Sequence, residues 1–411
     1  MQKIKDNIFE IELEDINEFF NTRDENSNKG DFGTVGIMGG CNNYSGAVKL
    51  ANMSFCALRA GCGISRVIIP STIKDSVAPH LLEQTLFLMD SDKDGHMIYN
   101  KEKVKEALYK LDALAFGMGL GNGEDNKKIL EEILQVFSGT VILDADGLNT
   151  LSNMDIEILN KTNAKVVLTP HLKEFERLSK IDLEAIKNDS INIAIEFAKK
   201  YNVILLLKGS TTIVTDGNIT YLVKRGCAGM ATAGSGDVLS GVLSGTLGYK
   251  ETSALSVAAC AYLAGLAGEL AQEKYSDISM TASGTIEFIP EAIKYIRECK
   301  NNLVEIEDFN KIDIRVGTIV DASINKGAKK SAYKLKIDFG EDIGIKMSSA
   351  QITELYTTEE LIGKQVIAVT NFKPIRISQV KSEVLVLGID SKNGVILLEP
   401  NKEAKNGSKV Y

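Results

Sequence analysis

One stretch of the chain consists mostly of glycine and other small residues around a single acidic residue. Residues 226–241, GCAGMATAGSGDVLSG, contain five glycines, and Asp237 stands where a helix is predicted to begin. Glycines let backbone amides approach an anion, and a helix N-terminus adds unpaired N–H groups and a positive dipole end. We therefore predict that the amides around Gly234, Ser235 and Gly236 bind a phosphate group.

Asp237 itself has two readings. An aspartate in a first helical turn is often only a cap or a partner of the helix dipole, and position alone favours that reading. Beside a phosphate, however, a carboxylate is electrostatically unfavourable unless it takes part in the reaction. Taking the proton of a hydroxyl that attacks phosphorus would be such a part, and we favour it here.

The elements that must position these residues alternate along the first 300 residues. Near-continuous apolar runs predict strands at 34–38, 65–70, 113–117, 140–144, 165–170 and 203–209. Helical stretches such as 46–61 and 125–137 lie between them, as is typical of a mostly parallel sheet covered on both faces. A hairpin over 211–223 follows, and three helices are predicted after Gly236, around 252–273 and around 285–299.

Polar or glycine-rich loops follow the strands at one edge of this predicted sheet. They are 39–40, 117–123, 144–147, 169–171 and 208–212. Ligands of open α/β sheets bind beyond the carboxyl ends of the strands. One such loop is an ordinary tight turn, but five at one edge predict a binding site. Neither G-x-G-x-x-G nor G-x-x-x-x-G-K-[ST] is present.

Seven motifs of this region resemble a known family. They are KGDFGTVGIMGG (29–40), YSGAVKLA (44–51), GMGLG (117–121), LDADGLN (143–149), TPHLKEFERL (169–178), KGSTTIV (208–214) and GMATAGSGDVLSG (229–241). They are similar to the ribokinase-like superfamily and, within it, to the ADP-dependent NAD(P)H-hydrate dehydratases. The resemblance implies an enzyme that returns hydrated NADH or NADPH to the working coenzyme while ADP becomes AMP and phosphate.

The resemblance also implies roles for particular residues. Asp237 would be the base on the hydrate's hydroxyl. Residues that would contact the hydrated dinucleotide are Ala47, Gly119 or Gly121, His171 and Asp237. Residues that would bind ADP are Lys208, Gly209, Ser210, Thr211, Thr212, Gly234, Ser235 and Gly236. Glu174 would help to hold Mg²⁺. Asp144 and Asp146 remain open between capping their loop and joining the site.

The last hundred residues have a different composition. All cysteines and histidines precede residue 300, whereas residues 303–411 contain 16 basic and 15 acidic residues. We therefore predict two domains, 1–300 and 301–411. Strands predicted at 312–324, 332–340, 343–352, 364–372, 383–390 and 394–400 favour a small all-β barrel, an OB-fold.

IDIRVGTIV (312–320) resembles the tRNA-binding domain family, and residues 331–357, 360–372 and 382–388 are closer to CsaA-type chaperones. This likeness implies a homo-oligomer, a homodimer of this module, that binds peptide or tRNA. A basic face could comprise Lys326, Lys329, Lys330, Lys334 and Lys336, with Tyr333 and Phe372 as stacking surfaces. The near-zero charge of the region favours a merely solvated face over firm tRNA binding.

Bulk properties exclude some functions. A net charge of −8 argues against binding DNA or a membrane through the overall field. We expect no membrane helix, because no window of about 18 uncharged apolar residues is evident, and we expect no signal peptide at the start. The six cysteines contain no C-x-x-C, so reduced thiols in a cytoplasmic protein are expected.

Two other functions stay open. One is a ribokinase-like kinase of a vitamin-precursor alcohol. The other is a peptide- or RNA-binding, chaperone-like protein whose α/β unit is only a nucleotide-sensing scaffold. The intact GSGD and KGSTT segments favour an enzyme, because a scaffold would not need Asp237.

Overall fold

The structure, a computed structural model, describes residues 1–52, 56–298, 306–328, 330–378 and 380–411. Contacts between Cα atoms divide the chain into two compact units, Met1–Lys300 and Asn301–Tyr411.

The first unit is built on an eleven-stranded sheet. Its strands in chain order are β1 (Gln2–Lys5), β2 (Ile8–Glu10), β3 (Thr34–Met38), β4 (Ile64–Pro70), β5 (Thr85–Met89), β6 (Ala113–Phe116), β7 (Thr140–Leu143), β8 (Lys165–Leu168), β9 (Ile204–Leu207), β10 (Thr212–Thr215) and β11 (Thr220–Val223). Their spatial order is β1-β2-β11-β10-β9-β8-β7-β6-β3-β4-β5. The strands from β9 to β5 in this order are parallel, and β10 and β11 form the predicted antiparallel hairpin.

Helices cover both faces of this sheet. They are α1 (Leu13–Ile16), α2 (Ser45–Asn52), α3 (Cys56–Arg59), α4 (Lys74–Val77), α5 (Lys101–Leu108), α6 (Asn126–Val136), α7 (Asp146–Ser152), α8 (Leu172–Ser179), α9 (Leu183–Asn188), α10 (Ser190–Tyr201), α11 (Ser235–Leu247), α12 (Ala254–Tyr275), α13 (Ala282–Glu287) and α14 (Ile289–Glu298). Successive strand residues enter different apolar clusters, Ile37 one and Met38 the other. That alternation confirms a sheet buried on both faces, the predicted α/β class.

Three expectations need correction. Strands β1, β2 and β5 were not predicted, and the single helix predicted around 285–299 is two helices, which meet at Phe288. The expectation that no window is apolar enough for a membrane is also wrong. Helix α12 is long and apolar enough by length and composition, with a mean hydropathy of 1.6. Most of that window, 78%, is buried inside the protein, which is the environment of a core helix.

The second unit is a barrel-like antiparallel β domain, consistent with the predicted OB-fold. It contains α15 (Ile306–Asn310), β12 (Ile314–Ile324), β13 (Tyr333–Asp338), β14 (Ile345–Ala350), α16 (Thr358–Leu361), β15 (Gln365–Val369), β16 (Ile375–Ile377), β17 (Val380–Ser382), β18 (Leu385–Val386), β19 (Gly388–Ser391) and β20 (Gly394–Leu397). Five strands pair in the order β14-β13-β12-β15-β18. Two hairpins, β16-β17 and β19-β20, complete it, and the first was not predicted.

Candidate active site

A buried ion pair lies at the carboxyl edge of the parallel strands. Asp144 follows β7 and Lys208 follows β9, and the Lys208 Nζ lies 2.9 Å from Asp144 Oδ1. Ser240, one turn into α11, donates to the other oxygen at 2.9 Å. Burial alone would raise the pKa of Asp144, but Lys208 and these hydrogen bonds hold it below its ordinary value. Asp144 is thus an ionised carboxylate that is bonded to Lys208 and Ser240, and these side-chain bonds do not cap its loop.

Asp237 lies in the first turn of α11 but does not cap it. Gly234, with φ of 95°, is the N-cap residue, and the helix has no side-chain cap. The Asp237 carboxylate makes no hydrogen bond or ion pair with any residue in the described ranges. Burial first, and then the charges of Asp144 and Asp146, raise the pKa of Asp237 to about 7, which Lys208 only partly offsets. An unengaged carboxylate with a pKa near neutrality is suited to general-base work.

The backbone beside Asp237 is open to an anion. The amides of Gly236 and Asp237 have no hydrogen-bond partner within the described part of the chain. A Cβ at Gly236 would lie 3.3 Å from Asp144 Oδ2 and 3.6 Å from Lys208 Nζ. The bare helix end and the ion pair therefore border one small space, which even a methyl group at Gly236 would begin to fill.

His171 and Glu174 form a reciprocal capping box at the start of helix α8. His171 Nδ1 accepts from the Glu174 amide at 3.2 Å, and Glu174 Oε2 accepts from the His171 amide at 2.8 Å. Because Nδ1 accepts, the neutral ring carries its proton on Nε2. Burial, with help from Lys208, lowers the pKa of His171 and favours this neutral form. Glu174 Oε2 also lies 3.8 Å from Lys208 Nζ, so the structure brings both residues to the ion pair.

The glycine-rich loop after β6 packs against α2. A Cβ at Gly119 would lie 3.0 Å from the Ala47 Cβ, so these two predicted residues are neighbours. The Gly121 amide donates to Asp146 Oδ2 at 2.8 Å, so the Asp146 side chain is hydrogen-bonded to this loop. Between Asp144 and Asp146, Ala145 has φ of 48°, a strained conformation for a residue with a side chain. That turn directs the two carboxylates to different partners.

A cavity of about 520 Å³ opens beside Lys208. Six of the eight residues predicted to bind ADP line it, namely Lys208, Gly209, Ser210, Thr212, Ser235 and Gly236. Thr211 and Gly234 are outside its described lining. The remaining wall was not among the residues predicted to bind ADP. It comprises Arg225, Gly226, Cys227, Ala228, Met230, Val238, Leu239, Ala261, Ala264, Gly265 and Thr285. Six of these lie in the stretch 226–241 that the sequence singled out, whereas no sequence signal indicated those on α12 and α13.

Among the described residues, no group of three or more metal-ligating side chains is positioned to hold a metal ion. Glu174, the predicted Mg²⁺ residue, already accepts the His171 amide. A divalent ion at this edge would therefore need further ligands from the phosphates of a bound nucleotide, which is how Mg²⁺ is usually held in nucleotide sites.

Comparison with known proteins shows the family of the first unit. Residues 35–291 match the family model described as NAD(P)H-hydrate dehydratase. The chain belongs to this family. The ADP-dependent (S)-NAD(P)H-hydrate dehydratase of Nitrosopumilus maritimus is 34% identical over 263 residues, which are 63% of this chain and 88% of that protein. The ribokinase-like fold of the dehydratase unit is shared with the ADP/ATP-dependent NAD(P)H-hydrate dehydratase of Bacillus subtilis, co-crystallised with ATP/Mg²⁺ (TM-score 0.60, 26% identity, 69% of this chain, 97% of that one).

The chain spans about half the length of several curated relatives that it matches. The bifunctional NAD(P)H-hydrate repair enzyme Nnr of Moorella thermoacetica is 32% identical over 279 residues, 67% of this chain and 52% of that enzyme.

The second unit matches a separate family model. Residues 314–409 match the tRNA binding domain model. The chaperone CsaA of Bacillus anthracis is 48% identical over 26% of this chain and 99% of its own, with a TM-score of 0.26.

The prediction that Tyr333 offers a stacking surface on this unit is wrong. Tyr333 is buried and its hydroxyl donates to the Tyr356 carbonyl, because odd-numbered residues of β13 face the core. Phe372 is 48% exposed, and Lys329 lies outside the described residues.

Proposed function

We propose that the protein catalyses the ADP-dependent dehydration of (6S)-NAD(P)H hydrate to NAD(P)H, with release of AMP and phosphate. The observation that carries this proposal is Asp237: an unengaged carboxylate with a pKa of about 7, next to free helix amides and the Lys208–Asp144 pair. A phosphoryl transfer to a hydroxyl needs these three components, namely a base, an anion hole and a fixed cation.

The bond changes follow from the chemistry of the hydrate. Asp237 takes the proton of the ring hydroxyl as that oxygen forms a bond to the β-phosphorus of ADP. The bond between this phosphorus and the bridging oxygen breaks, and AMP leaves. The phosphorylated oxygen then departs as phosphate, driven by the lone pair of the ring nitrogen. Loss of a proton from the adjacent ring carbon restores the double bond of the reduced nicotinamide.

Each component of the site has a proposed role. ADP binds the 208–212 loop and the 234–236 turn, with the amides of Gly236 and Asp237 facing the moving phosphoryl group. Lys208, held in place by Asp144, balances the phosphate charge. The hydrate binds on the side of Ala47, Gly119 or Gly121, and neutral His171, whose side chain is half exposed.

Mg²⁺ would be held by the phosphates of ADP together with Glu174. When bound, it would supply charge neutralisation at the phosphates. The protein's own residues supply the proton acceptor and the amide donors.

The second unit is proposed to assemble the protein as a homo-oligomer and to bind peptide or tRNA. Large apolar side chains exposed on it include Ile324, Ile345, Ile375, Ile377 and Ile389, which contact with a second copy could bury. Cys41, Cys62, Cys227 and Cys260 are free thiols, which supports a cytoplasmic location.

The test is to supply the purified protein with NADH hydrate, ADP and Mg²⁺ and to measure reduced nicotinamide absorbance together with AMP and phosphate. Stoichiometric recovery supports the proposal. Phosphorylation of a vitamin alcohol from ATP, without recovery of NADH, would instead support the kinase. Absence of both, with binding of peptide or RNA, would support the scaffold.

A further inference from the structure

A second cavity, of about 440 Å³, lies at the edge of the sheet away from Asp237. Gly61 in its wall precedes β4, and Tyr249 follows helix α11, whose other end carries Asp237. The cavity therefore borders the amino ends of the parallel strands, whereas the candidate active site lies at their carboxyl ends. The described linings of this cavity and of the one beside Lys208 share no residue.

Positive charge gathers in this cavity. Its described lining contains no acidic residue and four basic ones, namely Arg23, Arg59, Lys250 and Arg297. A neighbouring cavity that shares Arg23 and Arg59 is also lined by Asp24 and Glu83, so the unbalanced charge lies on the side of Lys250 and Arg297. Like charges that share a cavity repel one another, and an anion relieves that repulsion. The lining thus favours an anionic occupant, although the whole chain has a net charge of −8.

Arg23 is held in place by groups that leave its charge unbalanced. Its guanidinium carbon lies 3.8 Å from the centre of the Phe32 ring, and Nη2 donates to the Gly61 carbonyl at 2.6 Å. Arg23 forms no ion pair with any residue that the structure describes. An aromatic face and a carbonyl oxygen orient a guanidinium but do not cancel its full positive charge.

Arg297 and Lys250 are held in the same way. Arg297 donates through Nε to the Phe20 carbonyl and through Nη2 to the Asn21 carbonyl, the second at 2.8 Å. Lys250 Nζ lies 5.4 Å from the centre of the Phe19 ring, within reach of a cation–π interaction. Neither side chain forms an ion pair within the described ranges. Three cations are therefore positioned around this cavity by neutral partners.

The remaining wall decides the kind of anion. Much of it is apolar, with Phe20, Phe32, Leu58, Pro290 and Ile293 among its residues. Such a wall accommodates the body of an organic molecule. Several cations match a phosphate group, which carries nearly two negative charges, better than they match a single carboxylate. The planar guanidinium also fits two phosphate oxygens at once.

We propose that this cavity is a second binding site, which takes an organic phosphate: a phosphate monoester whose anionic group contacts Arg23, Lys250 and Arg297 and whose apolar body rests on Phe32 and Ile293. The site is separate from the proposed dehydration, and the inference does not rest on that function.

The test measures binding directly and needs no catalysis. Calorimetric titration of the full chain with phenyl phosphate, inorganic phosphate and benzoate separates the ester from the phosphate group alone and from a single charge. Phenyl phosphate should bind most tightly, and added KCl should weaken it by screening. Lys250→Gln and Arg23→Gln should each weaken its binding about 5- to 20-fold. Lys250→Arg keeps the charge and should stay close to the parent.

Lys294→Gln is the matched control. Lys294 lies on the same helix as Arg297, but it is 74% exposed and outside the described lining, so this variant should keep the parental affinity. Unchanged affinity in both Lys250→Gln and Arg23→Gln overturns the inference, and so does a parent that binds no phenyl phosphate. Equal affinity for inorganic phosphate would overturn the assignment to an organic ester. Binding that is lost in Lys208→Met but kept in the cavity variants would place the ligand beside Lys208 and also overturn it.

Discussion

At the scale of single residues, neighbours give four acidic groups different chemistry. Asp144 is ionised because Lys208 and Ser240 engage it, whereas Asp237 is unengaged and its pKa rises to about 7. Asp146 holds the Gly121 amide, and Glu174 caps α8. When the environments of two carboxylates move their pKa values apart, one can act as a base and the other as a charge partner. Here Asp237 is suited to the first role and Asp144 to the second.

The raised pKa of Asp237 predicts a stability effect with a definite sign. The folded protein keeps this carboxyl protonated up to about pH 7, whereas the unfolded chain loses the proton near its ordinary value of 3.8. Its contribution to stability is therefore present at low pH and is lost as the pH rises through 7. Asp237→Asn should unfold at higher denaturant concentration than the parent at pH 8 but not at pH 4.

Denaturant titrations at the two pH values measure this difference. Asp277→Asn, on an exposed turn, is the control and should follow the parent at both. A parent-like midpoint for Asp237→Asn at pH 8 would show that Asp237 ionises as an ordinary surface carboxylate.

The buried pair predicts a second effect. Lys208→Met leaves Asp144, only 3% exposed, without its cation, and should lower the free energy of unfolding by about 3 kcal/mol. Lys187→Met breaks an exposed pair with Glu184 and should leave the free energy of unfolding close to that of the parent. Equal losses in the two variants, measured by urea unfolding, would contradict the assigned role of Lys208.

At the scale of elements, small residues on α12 shape the cavity beside Lys208. Gly265 lets the Arg225 backbone approach, and Gly268 receives Met230, whose Sδ would lie 2.2 Å from an added Cβ. The alanine-rich pattern of α12 therefore serves the cavity wall as well as close packing.

We expect Gly265→Ala to be destabilising. Its Cβ would lie 2.7 Å from the Arg225 Cβ, so the cavity wall must move, at a cost of about 1–3 kcal/mol with weaker ADP binding. Gly46→Ala is the control, because its added Cβ in helix α2 meets no described residue within 4 Å beyond its chain neighbours and its own helix backbone. It should be neutral or stabilising by up to about 1 kcal/mol. Thermal unfolding with and without ADP compares the two variants. A parent-like melting temperature and a parent-like ADP shift for Gly265→Ala would show that the cavity wall adjusts to the added methyl group without cost.

The sequence predicted elements well where burial is uniform. β3 spans the predicted residues 34–38 because both of its faces are covered. The sequence-based prediction of one helix around 285–299 failed because local chemistry ends the first helix there. The break at Phe288 precedes Pro290, which lacks an N–H and favours the start of a new helix. Motif glycines and Asp237 were visible as chain neighbours, but Arg225 and Thr285 reach the cavity only through tertiary packing. No pattern in the chain joins those two residues.

At the scale of the whole molecule, two units with different charge and architecture share one chain. The dehydratase unit carries the proposed site on its own residues, and the second unit carries the exposed Ile324, Ile345, Ile375, Ile377 and Ile389. Assembly is therefore expected to depend on the second unit and catalysis on the first.

Mass measurement in solution tests that division. The full chain should be at least a dimer, and Ile375→Asp, at a side chain 65% exposed, should shift it toward monomer while dehydratase activity is kept. Lys381→Asp, on the paired strand, is the control for charge at this hairpin and should leave the mass unchanged. A monomeric parent would refute the proposed assembly.

The most direct test of the account compares the parent, Asp237→Asn and Asp237→Glu for recovery of NADH from its hydrate with ADP and Mg²⁺. Because Asn keeps the shape but cannot accept the proton, Asp237→Asn should lose at least about 100-fold in kcat with unchanged ADP affinity. Asp237→Glu should retain part of the rate. Parent-like turnover by Asp237→Asn would show that this carboxylate does not remove the proton, and the proposed mechanism would be wrong.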